Sequence, residues 1–185
     1  MKNLLIIVMG AALLGLGGWV VYGQTRSGSE PPANGGTSEQ GSILDLSNKG
    51  LTKVGPDIYN KTDVSTLILS GNNIESLPSQ MGKMTNLEIL RLDHNRLQGS
   101  LIAEIRKMPL RVLDVSYNNM TGIPAEIGQL SKLETLNYSY NNIDTLPNEI
   151  YNLKLLKQLN LTGNPLPADT VSKLRSELPD TTINF

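Results

Sequence analysis

The sequence predicts an α/β solenoid, with a parallel β-sheet on its concave face and short helices or turns on its convex face, preceded by one N-terminal transmembrane helix. Three observations support this prediction. Apolar residues recur with a period of 23 residues, proline-containing segments lie between the periodic stretches, and an uncharged apolar run follows the N-terminus. A fixed period of this length is typical of a stack of similar turns, each of which covers the next.

The periodic pattern is clearest from Leu133 to Ile143, where apolar residues occupy the first, fourth, sixth and eleventh positions. Successive side chains of a strand point to opposite faces, so Leu136 and Tyr138 are predicted to face the interior of the stack. An asparagine occupies the ninth position in five turns: Asn72, Asn95, Asn118, Asn141 and Asn164. An amide side chain has donors and acceptors, and can satisfy the backbone groups of a buried turn. We therefore interpret these asparagines as structural.

The turns also share a convex-side motif, seen at 77–82, 123–128 and 146–150, in which proline follows an apolar residue and another apolar residue comes three later. Proline presets the first turn of a short helix, and the later apolar residue is predicted to point inward. Six in-register copies of the whole pattern resemble leucine-rich repeats of the LxxLxLxxNxLxxLPxxIxxL type over roughly three quarters of the chain. The resemblance implies a small membrane-anchored or exported member of that family, of a subtype found in many bacterial proteins.

Three places depart from the regular pattern. The first turn has Lys49 in place of the asparagine, as an atypical terminal repeat would. The segment 97–105 has no proline and one extra residue, which predicts a local bulge on the convex face. After Pro167 the period ends, and Asp169 is predicted to cap a helix that carries Val171, Leu174 and Leu178 on one face. Residues 181–185 are predicted to form a last short strand, with Ile183 and Phe185 facing inward or closing the end.

These patterns divide the chain into four parts: residues 1–24, a transmembrane anchor or signal peptide; 25–41, a flexible linker; 42–166, six repeats; and 167–185, a C-terminal cap. The uncharged run from Leu4 to Gln24 is long enough to cross a bilayer, and Trp19 and Tyr22 near its end are suited to the membrane interface. A signal peptide cleaved after Gly23 is the alternative. We expect a single-pass membrane protein with its repeats outside the cytoplasm, or a secreted protein if the segment is removed.

Composition excludes several classes of function. The formal net charge of −1 and the pI of about 5.8 give no support for a nucleic-acid partner. The chain has no cysteine, which excludes disulfides and thiolate metal sites. A glycine-rich phosphate loop is also missing, since Gly15 and Gly17 lie within the apolar run. We expect no cofactor and no metal.

The candidate binding site comes from the solvent-facing strand positions, which form columns because neighbouring strands lie about 4.8 Å apart. One connected patch of polar and aromatic residues is predicted in the middle of the concave face: Arg91, Asp93, His94, Asp114, Tyr117, Asn137 and Tyr140. Tyrosine and arginine are frequent anchors of binding surfaces. We therefore expect the module to bind a protein, a peptide or a glycan there. The alternative is a structural adaptor or surface spacer with no specific ligand on this face.

Catalysis is not expected. His94 is the one histidine of the chain, and with Asp93 or Asp114 and Ser116 it offers the residue types of a hydrolase. However, a catalytic triad needs an oriented base and an oxyanion site, and an open sheet face provides no pocket that excludes water.

Overall fold

The computed structural model describes residues 41–185, which form a solenoid built on one parallel sheet. The seven strands of this sheet run in the order β1-β2-β3-β5-β7-β8-β9. Their bounds are Ser42–Asp45 (β1), Val64–Ile68 (β2), Ile89–Arg91 (β3), Val112–Asp114 (β5), Thr135–Asn137 (β7), Gln158–Asn160 (β8) and Thr182–Asn184 (β9). Residues 23 apart are direct partners across the central strands, as in Leu90 with Leu113 and Leu113 with Leu136. The parallel-sheet solenoid predicted from the 23-residue period is thereby confirmed.

The opposite side of the solenoid carries short helices. The first is a four-residue α-helix, α1 (Pro56–Tyr59), with proline at its start. The next four turns have 3₁₀ helices: Ser79–Lys83, Ala103–Lys107, Ala125–Gln129 and Asn148–Asn152. Pro78, Pro124 and Pro147 each stand one residue before a 3₁₀ helix, as its N-cap rather than in its first turn. The apolar residue three positions after each proline is buried, as the motif predicts.

The interior is a continuous column of apolar side chains, because each turn buries its leucines against the turns on either side. Leu90, Leu113 and Leu136 have no exposed surface. Tyr138, predicted to face the interior, is also fully buried. Leu174 and Leu178 close the C-terminal end of this core.

The asparagine column makes the same three hydrogen bonds in each of the five turns that contain it, which confirms its structural role. In Asn118, Oδ1 accepts the backbone N–H of Leu97 at 2.9 Å, while Nδ2 donates to the carbonyls of Leu92 at 3.0 Å and Val115 at 3.1 Å. Two of these three groups belong to the preceding turn. The first described turn has Lys49 where the other turns have asparagine. The backbone N–H of Lys49 donates to Oδ1 of Asn72 in the next turn.

The extra residue of the third described turn lies on the exposed stretch Gln98–Ser100, where Gly99 has φ 65°. Leu101 then takes the buried place that Leu77 has in the preceding turn. Gln98–Gly99 (β4) pairs in parallel with Asn119–Met120 (β6), so a small second sheet forms where the sequence predicted a bulge. Met108 has an extended backbone, ψ 133°, whereas Met84 at the equivalent point has ψ 63°. The extended backbone at Met108 shortens the segment that leads to β5, and the register between β3 and β5 is kept.

One detail of the predicted C-terminal cap is wrong. Helix α2 (Ala168–Glu177) has Pro167, not Asp169, at its N-cap, because the proline ring fixes φ near the −60° that Pro167 adopts. Asp169 lies in the first turn, where its charge favours the positive end of the helix dipole. Ile183 packs against the core, while Phe185, which follows the end of the edge strand β9, is 39% exposed, so of its two predicted positions the inward-facing one does not hold.

The predicted membrane segment, 1–24, and all but the last residue of the predicted linker, 25–41, lie outside the described residues. Within residues 41–185, neither α-helix has the length and hydropathy that a bilayer-spanning segment requires.

Candidate functional site

A column of left-handed backbone conformations follows the strands of the sheet. The eighth position of each turn has positive φ, between 53° and 77°, in all six described turns: Asn48, Gly71, His94, Tyr117, Tyr140 and Gly163. We call these six residues the left-handed column. The conformation is set by the sharp turn out of the strand, since the backbone N–H groups of His94 and Tyr117 still donate to the next turn, to the carbonyls of Ser116 and Ser139.

Three neighbouring members of this column form a stack of rings. The centroids of His94 and Tyr117 are 4.3 Å apart, and those of Tyr117 and Tyr140 are 4.4 Å apart, with planes within 19° of parallel. Tyr117 and Tyr140 remain 45% and 48% exposed, and the His94 side chain 60%. The aromatic stack, as we call these three residues, therefore presents ring edges and polar atoms to solvent.

Aromatic residues are an unusual choice at these positions. A bulky L-residue in the left-handed region costs about 1–2 kcal/mol. Each stacked pair contributes about 0.5–1.5 kcal/mol beyond the surface that the rings bury. Glycine and asparagine occupy the same position in the other three described turns, and they adopt this conformation more readily. Three adjacent aromatic residues at this position are an observation that a binding role would account for.

Asp93 fixes the orientation of His94 at one end of the stack. His94 Nδ1 and Asp93 Oδ2 are 3.0 Å apart, and a carboxylate only accepts, so the proton of this hydrogen bond belongs to Nδ1. The second oxygen, Oδ1, accepts the hydroxyl of Ser70 at 2.5 Å. Both bonds hold the carboxylate and the ring on the same side of the sheet.

The other predicted site residues lie in the adjacent column of the sheet. Arg91, Asp114 and Asn137 are direct partners on β3, β5 and β7. Asn137 Nδ2 donates to Asp114 Oδ2 at 3.2 Å, while Asp114 Oδ1 accepts the backbone N–H and hydroxyl of Ser116. Among residues 41–185, Arg91 makes no ion pair within 4 Å. The structure thus brings the seven predicted residues to one face of the solenoid. One group is the aromatic stack with Asp93, and the other is the polar column of Arg91, Asp114 and Asn137 beside it.

The Tyr117 hydroxyl is a donor as well as an acceptor at neutral pH. Partial desolvation, and secondly the neighbouring Tyr140, raise the pKa of Tyr117 above its ordinary value. The phenol of Tyr117 is therefore protonated under physiological conditions, and its hydroxyl can hydrogen-bond to a polar partner.

The comparisons with known proteins agree with this architecture. Two family models match, one described as "Leucine rich repeat" over residues 109–166 and one as "Leucine Rich Repeat" over residues 86–108. The chain belongs to the leucine-rich repeat family. None of the curated protein sequences matches it.

Solved structures of other leucine-rich repeat proteins are similar to this chain. One is an LRR protein of Leptospira interrogans, with 30% identity over 72% of this chain and 40% of its own, at a TM-score of 0.58. The plant peptide hormone receptor RGFR1 in complex with RGF2 has 32% identity over 72% of this chain and 22% of the receptor chain, with a TM-score of 0.61. The Arabidopsis receptor kinase HAESA was solved in complex with the peptide hormone IDA and the co-receptor SERK1. It has 25% identity over 80% of this chain and 26% of its own, with a TM-score of 0.67. The chain spans less than half the length of each.

The leucine-rich repeat site does not have the contacts of a hydrolase. The hydroxyl of Ser116 donates to Asp114 Oδ1 at 2.7 Å, and the hydroxyl of Ser70 to Asp93, so neither hydroxyl donates to His94. A nucleophile and its base should be within hydrogen-bond reach of each other. In the described part of the chain, no group of three or more His, Asp or Glu side chains is placed to hold a metal ion.

Sequence reasoning brought the seven residues together but missed the conformation that presents three of them. The signal was present, because Asn48, Gly71 and Gly163 are residue types favoured at positive φ and share one repeat position with His94, Tyr117 and Tyr140. The role of Ser70 as a donor to Asp93 was also missed. No local pattern marks Ser70, since serine or threonine is common at this position in other turns.

Proposed function

We propose that the chain is a membrane-tethered leucine-rich repeat module that binds a peptide or an extended protein segment on its sheet face, centred on the aromatic stack. The observation that carries this proposal is the strain of three aromatic residues held in the left-handed region at adjacent turns. Such strain is concentrated at functional sites when the surrounding structure maintains it. The plant receptors in the comparison, which were solved with peptide hormones bound, support a peptide as the class of partner.

The arrangement of the rings favours a peptide over a glycan. Sugars bind aromatic residues mainly through open ring faces, but both faces of Tyr117 are covered by His94 and Tyr140. The outer side of Tyr140 lies over Gly163, whose added Cβ would be 2.8 Å from the ring. The tyrosines therefore offer edges and hydroxyls, which suit the alternating polar and apolar groups of a peptide.

The test replaces each tyrosine by asparagine, which tolerates the left-handed conformation and removes the ring. We expect Tyr117→Asn and Tyr140→Asn each to weaken binding at least tenfold, or about 1.4 kcal/mol. The melting temperature should change little, because relief of the left-handed strain offsets the stacking that is lost. The partner is first identified by crosslinking of the full-length chain in its native membrane and mass spectrometry, and its affinity is then measured for each variant.

Lys154→Ala is the matched control, since Lys154 is an exposed residue just after the 3₁₀ helix Asn148–Asn152 on the other side of the solenoid. It should leave binding unchanged. If the tyrosine variants bind as well as the wild type while Lys154→Ala does not, the sheet face is not the binding surface. Unchanged binding in all three variants would favour the structural adaptor instead.

The proposal that the chain is tethered to a membrane rests on the uncharged run from Leu4 to Gln24, which has Trp19 and Tyr22 near its end. We place the repeats outside the cytoplasm. The full-length protein should then remain with the membrane fraction through alkaline carbonate washing, and protease added outside the cell should digest the repeats. A mature protein that begins at Gln24 and is free in the medium would instead establish a cleaved signal peptide and a secreted module.

A further inference from the structure

Basic residues are concentrated on one edge of the solenoid. Five six-residue segments, spaced 23 residues apart, span the connections from the short helices to the strands β2, β3, β5, β7 and β8: 60–65, 83–88, 106–111, 129–134 and 152–157. They contain eight lysines and arginines but three acidic residues, a formal charge of +5 in a chain whose total is −1. The rest of the chain therefore carries −6. We call these five segments, at the amino ends of the strands, the basic edge.

The positive charges of the basic edge reach solvent. All eight basic residues are exposed: Lys61, Lys83, Arg106, Lys107, Arg111, Lys132, Lys154 and Lys157. Glu134 pairs with two of them, Arg111 and Lys157. Among residues 41–185, Lys107 and Lys132 make no ion pair within 4 Å. Their charges are therefore available to a partner.

The helix dipole accounts for only part of this concentration. Lys83 and Lys107 lie in the last turns of 3₁₀ helices, where a positive charge is favourable. Lys132 lies three residues beyond the end of its helix at Gln129, where the dipole has little effect. Helix stability therefore does not explain the charge of Lys132.

A cleft of about 250 Å³ lies in the middle of the basic edge, where three turns meet. Its lining includes the cations of Arg106, Lys107 and Lys132 and the hydroxyls of Thr85 and Ser131. None of the residues that line it is acidic. Several cations with hydroxyl donors around a shallow space match the oxygens of a phosphate group.

The proposed tether joins the solenoid at the same edge. Gly41, the first described residue, shares a second cleft with Thr85 and Lys132, which also line the first. Asp63 and Glu88 line this second cleft as well, so its charge is more balanced. The uncompensated positive charge is thus centred on the first cleft, beside the point where the chain arrives from residue 40.

A large apolar side chain is exposed on the basic edge. Leu155 is 58% exposed and lies between Lys154 and Lys157 in the sequence. An exposed leucine beside lysines suits the boundary of a bilayer, where amines meet phosphates and the apolar side chain enters the acyl region. A soluble polyanion offers charge but no apolar layer. Leu155 therefore favours a membrane over a soluble polyanion as the partner of this edge.

We propose that the basic edge docks the solenoid on an anionic bilayer, with one lipid phosphate in the first cleft. The inference rests on the proposed membrane tether, which holds this edge near the lipid surface. Because the rest of the chain is negative, attraction to an anionic bilayer is confined to the basic edge. The aromatic stack follows the carboxyl ends of the strands, so docking turns it away from the lipid and leaves it accessible to a partner.

The experiment measures which edge contacts lipid. The full-length chain is reconstituted in phosphatidylcholine vesicles, with or without an equimolar amount of phosphatidylglycerol. Because the chain has no cysteine, Asn152→Cys and Asn142→Cys each provide a single site for an environment-sensitive fluorophore. Both asparagines are exposed, Asn152 on the basic edge and Asn142 beyond the carboxyl ends of the strands.

We expect a blue shift, and quenching by nitroxide-labelled lipid, for the Asn152 probe in the vesicles that contain phosphatidylglycerol. The Asn142 probe should not respond, and added salt should reverse the response, since exposed charges are screened. An Asn152 signal that is the same with and without phosphatidylglycerol would overturn the inference. A stronger response to dissolved heparin than to anionic vesicles would assign the edge to a soluble polyanion and would overturn it too.

Two variants test the cleft. Lys107→Gln and Lys132→Gln should each lower the ratio of docked to undocked solenoid about fivefold, the effect of one basic residue near an anionic surface. Lys53→Gln is the matched control, because it removes the same charge from an exposed residue outside the basic edge. If Lys53→Gln reduces docking as much as Lys132→Gln does, total charge rather than the cleft is responsible and the inference is wrong.

Failure of the inference and failure of the proposed function give different results. If the chain floats with both kinds of vesicle but the Asn152 probe ignores phosphatidylglycerol, the tether stands and the docking is wrong. If the chain does not float with neutral vesicles, the tether is wrong, and the Asn152 response to added anionic vesicles still decides the docking. The peptide site is tested independently by Tyr117→Asn and Tyr140→Asn.

Discussion

At the scale of single residues, two buried polar side chains of this solenoid differ in whether their polar atoms have hydrogen-bond partners. Asn118 uses its amide fully, with one accepted and two good donated hydrogen bonds to the buried backbone. Tyr138, three residues before Asn141, is completely buried, and its hydroxyl has no hydrogen-bond partner among the described residues. Burial accordingly raises the pKa of Tyr138 and keeps it neutral. An unpaired buried hydroxyl costs about 1–3 kcal/mol, so this residue is a weak point of the core.

Removal of that hydroxyl should stabilise the fold. Tyr138→Phe keeps the ring volume and is expected to raise the free energy of unfolding by about 0.5–2 kcal/mol, measured by chemical denaturation. Tyr140→Phe is the control, because the Tyr140 side chain is exposed and its hydroxyl has access to water. It should change stability by less than about 0.5 kcal/mol. A clear loss of stability in Tyr138→Phe would mean that the hydroxyl has a partner in solution.

At the scale of the strands, the second position of four successive turns carries a column of alternating charge. Glu88, Arg111, Glu134 and Lys157 are 23 residues apart and precede strands β3, β5, β7 and β8. Glu134 binds Lys157 Nζ at 2.5 Å and Arg111 Nη2 at 2.8 Å, and Arg111 reaches Glu88 at 3.9 Å. Opposite charges placed directly across strands stabilise their register. This column lies at the amino ends of the strands, and the aromatic stack follows their carboxyl ends.

The charge column gives a pH-dependent contribution to stability. Hydrogen bonds from Lys157, and next from Arg111, hold the pKa of Glu134 below its ordinary value. A carboxylate with a lowered pKa in the folded state stabilises the fold above its unfolded pKa, about 4.3, and loses that contribution as the pH falls through the folded value. Glu134→Gln should therefore be less stable than the wild type at pH 7, and the difference should shrink below about pH 4.

The measurement is urea denaturation of both proteins at pH 7 and pH 3, with and without added salt. Because the pair is solvent-exposed, the difference at pH 7 should also decrease at high ionic strength. Glu75→Gln is a suitable control, since Glu75 is exposed and outside the described ion pairs. A difference between wild type and Glu134→Gln that is independent of pH would show that packing, not charge, explains the effect.

Strand register and core could be predicted because both depend on periodic apolar residues, as the pairing of Leu113 with Leu136 illustrates. The 3₁₀ helices could not be distinguished from α-helices, since a five-residue segment such as Ala125–Gln129 is too short for a periodic pattern. The same limit applies to the last helix, whose N-cap is Pro167, two residues before the predicted Asp169.

At the scale of the whole molecule, stability is close to a sum of contacts between neighbouring turns. The central strands β5 and β7 have a neighbour on each side, whereas β1 and β9 are the edges of the sheet. Leu113 has no exposed surface, while Ile183 on β9 is only partly buried. The aromatic stack spans the central turns, and each of its residues lies three positions after the end of β3, β5 or β7. The candidate site is therefore supported by the part of the solenoid with the most complete packing.

This gradient makes the effect of a core truncation depend on its position. Leu113→Ala should lower the free energy of unfolding by about 2–5 kcal/mol, because the cavity is enclosed by turns on both sides. Ile183→Ala should cost about 1 kcal/mol, since the edge strand can relax into solvent. Hydrogen exchange should agree, with the amides of β1 and β9 opening at lower free energy than those of β5 and β7. Equal losses in the two variants, together with uniform exchange across the sheet, would contradict the nearest-neighbour description and show that the repeats unfold as one unit.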